Sequence, residues 1–267
     1  MQRGLGGNDG PVVSAAKEDN ARMLVAIHQP TFLPWLGYFD RMLQSDLFVL
    51  LDHVQFERRN YQNRTLIRLD DEARWLTVPV VQLSQKERII EKRVDNPSDT
   101  AGGRWWGPNH FLTLRYAYRK APFFDLYAPR LRAILETRWD KLVDLNLATL
   151  DFLREALGIT TPIARSSELA VEGQRSELLL NICKRVGASA FLGGMGGSRG
   201  YLDHAAFRDA GMGVVWQQFK HPQYKQCGEG AFVPGLSALD LLFNCGPRSG
   251  ALLREASTVA HDERLAA

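Results

Sequence analysis

The sequence predicts an α/β protein with a mostly parallel, Rossmann-like sheet and a helical insertion or subdomain. Residues 23–51 contain a short apolar strand, a loop, an amphipathic helix and a second apolar strand. Residues 175–197 repeat the order of helix, strand and flexible loop, and residues 104–158 between them show helical periodicity. Strands that alternate with helices are typical of a doubly wound parallel sheet. The HUP-like fold is one form of such a sheet and is an alternative to the general Rossmann-like form.

The individual elements follow from periodicity and from turn residues. The first predicted elements are a strand at 24–27, a helix at 37–44, a strand at 47–51, and strands at 66–69 and 75–81 joined by a turn at Asp70 and Asp71. Residues 96–108 contain three glycines and predict a loop. The later predicted elements are helices at 110–120, 123–137 and 141–157, a strand at 162–166, a helix at 175–186, a strand at 190–192, a helix at 202–210, a strand at 214–219 and a helix at 237–243.

Three parts are expected along the chain. Residues 1–22 are rich in glycine and other small residues and lack the apolar centre of a signal peptide, so they predict a flexible leader. Residues 23–250 predict one α/β domain with its helical middle at about 104–158. Residues 251–267 are expected to be a tail that the fold does not need.

Composition restricts the class of protein. With 45% hydrophobic and 24% charged residues, the chain has the balance of a soluble globular protein. A net charge of +3 is too small to argue for nucleic acid as a partner. Three cysteines without a CxxC pair argue against a disulfide framework or a zinc knuckle, so no metal is expected and a cytoplasmic location fits. No apolar run reaches the roughly 18 residues of a membrane span.

Polar side chains follow the first two strands at the point where each strand ends. His28 and Gln29 follow the first strand, and Asp52, His53 and Gln55 follow the second. The carboxyl ends of parallel strands meet at one edge of a sheet, where ligands bind. We therefore predict His28 and Asp52 as catalytic residues and the other three as substrate-binding residues. The alternative is that His28 only orders its loop through hydrogen bonds.

A second histidine has a similar position near the end of the chain. His221 follows the predicted strand 214–219, and Tyr224 comes three residues later. A histidine that titrates near neutral pH suits general acid–base catalysis, so His221 is predicted to be catalytic and Tyr224 to bind substrate. The alternative is a turn histidine held by Pro222.

Three further groups of residues predict contacts to substrate. Tyr61, Asn63 and Arg64 form a basic and polar cluster that suits a phosphate or carboxylate, although a charged strand edge explains it equally. The glycine-rich loop at 193–197 includes Gly194, whose backbone suits an anion. A mobile turn is the alternative there. The remaining predicted contacts are Tyr201 just beyond this loop and the aromatic residues Trp35 and Tyr38 of the loop after the first strand.

The loop after the first strand also permits an analogy to nucleotidyltransferases of the HUP superfamily. Those enzymes run from a first strand into a loop and a helix whose N-terminus holds triphosphate. Their loop carries a pair of histidines, whereas residues 34–38 here read PWLGY. The sequence therefore leaves the cofactor undetermined, with ATP and magnesium as one candidate. Adenylylation does not follow from the sequence.

Six segments together resemble the WbqC-like protein family. They are AIHQPTFLPWLGYFDRM (26–42), SDLFVLLDHVQF (45–56), NYQNR (60–64), WLTVPV (75–80), HPQY (221–224) and SALDLLFNCG (237–246). The resemblance extends over about residues 23–250. It implies a role in bacterial surface-polysaccharide pathways, including O-antigen biosynthesis, or in natural-product biosynthesis. It also implies decoration of an amino sugar or a similar small molecule, for example as an amide with glycine.

The sequence is compatible with three functions. The first is a transferase or amide-forming ligase that acts on an amino sugar or related amine, with a thioester or a charged tRNA as acyl donor. In it His28 or His221 deprotonates the amine, Asp52 orients one histidine, and Asn63 with Arg64 holds an anionic group. The second is a nucleotidyltransferase-like enzyme that uses a nucleoside triphosphate. The third is a non-catalytic protein that binds a sugar or a carrier.

Overall fold

The computed structural model describes residues 23–96, 105–194, 196 and 198–258. In chain order its elements are β1 (Leu24–His28), α1 (Leu36–Leu43), β2 (Leu47–Leu50), β3 (Arg64–Leu69), β4 (Glu72–Thr77), α2 (Trp106–Tyr118), α3 (Phe124–Leu135), α4 (Leu142–Ala156), β5 (Ile163–Arg165), α5 (Arg175–Arg185), β6 (Ala190–Gly193), α6 (Ser198–Tyr201), α7 (His204–Asp209), β7 (Gly213–Trp216), β8 (Gln218–Phe219), α8 (Ala238–Cys245), α9 (Ser249–Ala256) and β9 (Ser257–Thr258). The predicted leader and most of the predicted loop at 96–108 lie outside the described residues.

The centre of the fold is a five-stranded sheet in the order β5-β2-β1-β6-β7. All of its neighbouring strands are parallel, and Ala26 of β1 lies opposite Phe48 of β2 on one side and Leu192 of β6 on the other. The chain moves outward from β1 to β2 and β5, and then returns to the other side of β1 to form β6 and β7. The direction therefore reverses between β1 and β6, which is where open α/β sheets bind ligands. The predicted α/β, Rossmann-like fold is confirmed.

Both faces of β1 are buried, which is why it reads as an apolar run. Val25 and Ile27 pack with Ile182 of α5 in one core, whereas Ala26 belongs to a second core on the opposite face. Successive strand residues point to opposite faces, so one strand contributes to both cores. The second core also contains buried residues of α2, α3, α4 and α8, so the helical middle shares its core with the sheet.

Turn and cap residues delimit several elements as predicted. Asp70 and Asp71 join β3 to β4 with φ values of 52° and 60°, a left-handed conformation that Asp tolerates well. Ser237 caps α8, because its side chain accepts a hydrogen bond from the N–H of Leu239. Gly158 ends α4 with a φ of 64°.

The C-terminal part of the fold differs from the expectation in two places. The single strand predicted at 214–219 is divided at Gln217, because residues 213–216 pair with β6 whereas residues 218–219 pair with β9 in a separate sheet. The predicted tail boundary at residue 250 falls inside α9, where Leu253 is fully buried in the core. Residues 249–258 are therefore part of the folded unit. No helix among the described residues is both long and apolar enough to cross a membrane.

Candidate active site

Two adjoining cavities open at the carboxyl edge of the sheet, at the reversal point between β1 and β6. One has a volume of about 260 Å³ and the other of about 380 Å³. We call them the Tyr201 cavity and the Trp35 cavity after a residue that lines each one, and together they form the edge cleft. Both cavities are lined by the same five residues, namely His28, Gln29, Arg41, Asn60 and Gly196. These five residues form the wall that the two cavities share.

His28 ends β1 and presents one ring nitrogen for chemistry. Its Nδ1 lies 2.9 Å from the carbonyl oxygen of Gln29, and a carbonyl only accepts, so Nδ1 carries the proton. Nε2 therefore keeps its lone pair, and it has no hydrogen-bond partner among the described residues. Tyr38 and Trp35 hold the ring edge-on, with ring centroids 4.7 and 5.5 Å away. Burial, aided by the charge of Arg41, lowers the pKa of His28 to about 3, so the ring is neutral at pH 7.

Gln29 is oriented by a neighbouring glutamine that the sequence analysis did not single out. The backbone N–H of Glu57 donates to Gln62 Oε1 at 2.9 Å. This bond leaves Gln62 Nε2 to donate to Gln29 Oε1 at 2.8 Å. Gln62 itself is almost fully buried, and its backbone carbonyl accepts a hydrogen bond from the side-chain amide of Asn146. The amide nitrogen of Gln29 has no partner among the described residues, so it offers two donors to the edge cleft.

Arg41 is the largest addition that the structure makes to the predicted site. It is the only cation of α1 and is 8% exposed. Its Nη1 makes one long bond of 3.5 Å to the carbonyl of Ile27, and its Nε has no partner among the described residues. Burial lowers its pKa to about 10, so it stays charged at neutral pH. The one sequence signal that could have indicated it is that Arg41 is the single basic residue of a mostly apolar helix.

The two cavities differ in chemical character. The Trp35 cavity is walled by the aromatic side chains of Trp35, Tyr61 and Phe219, and the rings of Trp35 and Tyr61 lie 4.8 Å apart. Such walls suit the flat face of a ring. The Tyr201 cavity contains the carboxylate of Glu57, to which Asn60 donates at 2.6 Å. A carboxylate there suits a cationic group such as an ammonium.

Asp52 lies outside the edge cleft and does not contact His28. Its fully buried carboxylate accepts from Arg165 Nε at 2.8 Å, from the N–H and hydroxyl of Ser167, and from the hydroxyl of Ser166. Burial raises the pKa of Asp52, but the bonds from Arg165 and Ser167 outweigh it and the net shift is downward. The predicted orientation of a catalytic histidine by Asp52 is therefore wrong for His28, because β5 supplies partners that hold the carboxylate on the far side of β2.

Asp52 is connected to His53 through the hydroxyl of Ser166. Ser166 donates its hydroxyl proton to Asp52, and that hydroxyl oxygen lies 2.6 Å from His53 Nδ1. His53 lines neither cavity of the edge cleft. Its predicted contact with substrate finds no support in this position, because the side chain turns toward the end of β5.

His221 and Tyr224 also lie behind the cleft. The ring of His221 packs on Phe219, with centroids 5.8 Å apart, and its Nδ1 lies 2.9 Å from the carbonyl of Pro222. Tyr224 donates its hydroxyl to Asp240 at 2.9 Å. Neither residue lines the edge cleft, because Phe219 stands between His221 and the cavity.

The remaining polar predictions lie on another surface. Gln55 is exposed and donates to the carbonyl of Gln85 at 2.7 Å. Asn63 donates to the carbonyl of Val78, and the guanidinium of Arg64 stacks over Trp75 at 3.9 Å. Asn63 and Arg64 line a separate basic groove of about 260 Å³. They do not meet His28.

The structure thus brings together part of the predicted set. The predicted residues that line the edge cleft are His28, Gln29, Trp35, Tyr61, Gly194 and Tyr201, and Tyr38 lies fully buried behind His28. The lining or supporting residues that sequence reasoning missed are Thr31, Arg41, Glu57, Asn60, Gln62, Gln217 and Phe219.

Comparisons with known proteins agree with the resemblance seen in the sequence. A family model described as the WbqC-like protein family matches residues 29–251. The chain is 33% identical over 233 residues to the uncharacterized protein Rv1507c of Mycobacterium tuberculosis (strain ATCC 25618 / H37Rv), an alignment that covers 86% of this chain and 97% of that protein. No solved structure matches the chain. The chain belongs to the WbqC-like protein family.

Proposed function

We propose that the protein is a biosynthetic transferase or amide-forming ligase that joins an acyl or aminoacyl group to the amino group of a small molecule such as an amino sugar. The observation that carries this proposal is the shared wall of the edge cleft. Two cavities of different character meet at His28 and Arg41. A reaction between two substrates needs such an arrangement, because both must be held with their reacting atoms in contact.

The residues present support a role for each part of the cleft. The aromatic walls of the Trp35 cavity suit a sugar ring or the apolar part of a donor. Glu57 in the Tyr201 cavity suits the ammonium of an amine before it reacts. His28 Nε2 is the basic atom at the junction, and Gln29 supplies N–H donors beside it.

In the proposed reaction the ammonium first releases one proton to water, and the resulting neutral amine nitrogen attacks the carbonyl carbon of the acyl donor. A C–N bond forms, the bond from the carbonyl carbon to the thiolate or ester leaving group breaks, and His28 carries the amine proton to the leaving group. Gln29 donates to the oxygen on which negative charge develops. The low pKa of His28 keeps the ring neutral but makes it a weak base in the empty cleft. An anionic ligand beside Arg41 would raise this pKa, because it would offset the charge of Arg41, the second of the two causes that lower it.

The test is product formation by the purified full-length chain. Amino sugars are incubated with thioester or aminoacyl-tRNA donors, and the amide product is detected by mass spectrometry. We expect His28→Gln to lower turnover by about 100-fold to 10,000-fold, as for a lost general base. His53→Ala is the matched control, because this histidine lies outside the edge cleft, and it should retain turnover.

Equal loss in both variants, or full turnover in His28→Gln, would contradict the assignment of His28. Product that forms only with a nucleoside triphosphate and magnesium, as a nucleotidyl adduct, would favour the nucleotidyltransferase alternative. Binding of an amino sugar with no product from any donor would favour the non-catalytic alternative.

A further inference from the structure

Arg41 is a buried cation without a carboxylate partner. No carboxylate among the described residues lies within ion-pair distance of it, although Arg68, another buried arginine, pairs with Asp71 at 2.8 Å. The adjacent Asp40 makes no ion pair with Arg41; its Oδ2 accepts from Gln44 and Gln217, and its charge only partly offsets the effect of burial on the pKa of Arg41. Burying an unpaired charge costs several kcal/mol, so proteins rarely keep one without a use.

The guanidinium of Arg41 faces the loop that follows β6. A Cβ built on Gly194 would lie 2.1 Å from Nη2 and 2.5 Å from Cζ. Only glycine leaves this space open at residue 194, and the space belongs to the edge cleft because Arg41 and Gly194 both line the Tyr201 cavity. Arg41 also lines the Trp35 cavity, so it is accessible from both sides.

A second set of donors points to the same place. Gln29 lines both cavities with Arg41, and its amide N–H₂ group is unpaired among the described residues. The Nε of Arg41 is likewise buried without a partner among the described residues. An unpaired guanidinium with a neighbouring amide donor matches the acceptors of an oxyanion, which the guanidinium binds in a bidentate manner.

We propose that the edge cleft contains an oxyanion subsite in which Arg41 and Gln29 bind the phosphate or carboxylate group of a substrate. This would give the buried charge its missing partner. The inference concerns the cleft of the proposed function but rests only on its geometry, so it holds or fails independently of the transfer reaction. It adds Arg41 to the anion contacts expected from the sequence at Gln29 and at the loop of Gly194, and it leaves out those expected at Asn63 and Arg64.

The test is direct binding to the full chain at constant ionic strength. Inorganic phosphate, pyrophosphate, acetate and glycine are each titrated by calorimetry, with chloride as the reference salt. We expect one site for at least one of these oxyanions. Arg41→Met should weaken that binding at least about tenfold, since a charge-assisted hydrogen-bond pair is lost. Arg64→Met is the matched control in the separate basic groove and should bind with unchanged affinity.

Binding of phosphate or pyrophosphate alone would indicate a phosphorylated substrate, and binding of acetate or glycine alone a carboxylate. Two results overturn the proposal: no oxyanion binds the wild-type chain, or Arg41→Met binds as tightly as wild type. Arg41→Lys is a second variant in case the Met variant does not fold. It keeps the charge but loses the bidentate geometry, so affinity should fall while the fold persists. Because no turnover is measured, loss of the transferase activity would not change this result.

Discussion

The backbone of Gly194, just after the end of β6, lies directly against the guanidinium of Arg41 from α1. The contact joins two elements from opposite sides of the sheet's reversal point. Glycine at residue 194 leaves room for this cation, and a side chain there would displace it.

Gly194→Ala should disturb ligand binding more than it disturbs the fold. The added methyl would meet the end of a flexible side chain, which can move, so the free energy of unfolding should fall by no more than about 1–2 kcal/mol. Displacing Arg41 should nevertheless weaken oxyanion binding to the same extent as Arg41→Met. Chemical denaturation and calorimetry measure the two effects.

Gly200→Ala is the control for this variant. A Cβ at residue 200 would meet nothing within 4 Å, so both stability and binding should stay close to wild type. A stability loss of several kcal/mol in Gly194→Ala with binding intact would contradict the proposed displacement.

Asp52→Asn should destabilise the fold without removing any group of the edge cleft. The change would leave the Arg165 guanidinium without its carboxylate and weaken three other bonds to residues 166 and 167, so we expect a loss of about 3 kcal/mol. Urea denaturation at pH 7 measures it. Asp209→Asn, at an exposed ion pair with Arg208, should change stability by no more than about 0.5 kcal/mol.

Asp52 also predicts part of the acid sensitivity. Its pKa is lower in the folded protein than in the unfolded chain, so its contribution is present above the unfolded pKa of about 3.9 and is lost as pH falls through the lower folded value. Wild type should therefore lose more stability than Asp52→Asn below about pH 4. If the stability of the two proteins depended on pH in the same way, the acid sensitivity could not be assigned to Asp52.

His28 should make stability rise with pH between about pH 3 and 6.5. Its folded pKa of about 3 lies below the unfolded value of 6.5, so the unfolded chain binds the extra proton throughout this range. One such group raises the free energy of unfolding by up to about 1.4 kcal/mol per pH unit. The pKa values of His53 and His110 are lowered as well, so these two histidines add to the slope.

Removing the imidazole tests this contribution. His28→Gln should reduce the slope by up to about 1.4 kcal/mol per pH unit, with stability above pH 7 less affected by pH. His204→Gln, which replaces an exposed histidine, should keep the wild-type slope. An unchanged slope in His28→Gln would mean that the ring is not buried in its neutral form.

Tyr118→Phe should weaken the connection between the helical middle and the rest of the fold. Its buried hydroxyl donates to Asp240 of α8 at 3.1 Å and accepts from the N–H of Arg68 in β3 at 2.9 Å. Both partners would lose a bond, so we expect a loss of about 1–3 kcal/mol by thermal or chemical denaturation. Tyr116→Phe on the exposed face of α2 is the control and should be neutral.

The sequence predicted the elements well because their signals are local. Apolar runs identified β1 and β2, glycines marked the ends of α4 and α5, and the paired aspartates marked the hairpin turn. The division of the strand at Gln217 could not be predicted, because residues 218–219 pair with residues 257–258 near the end of the chain rather than with β6.

By itself the sequence determined the α/β class, the family, and the placement of His28 and Gln29 at a strand's carboxyl end. Only the tertiary structure decided which polar groups share a cleft. The strand order puts β6, not β2, on the side of β1 where the chain reverses, so Gly194 joins His28 while Asp52 turns to β5. Arg41 enters because α1 packs under that edge, a placement that depends on three-dimensional packing rather than on any local pattern of residues.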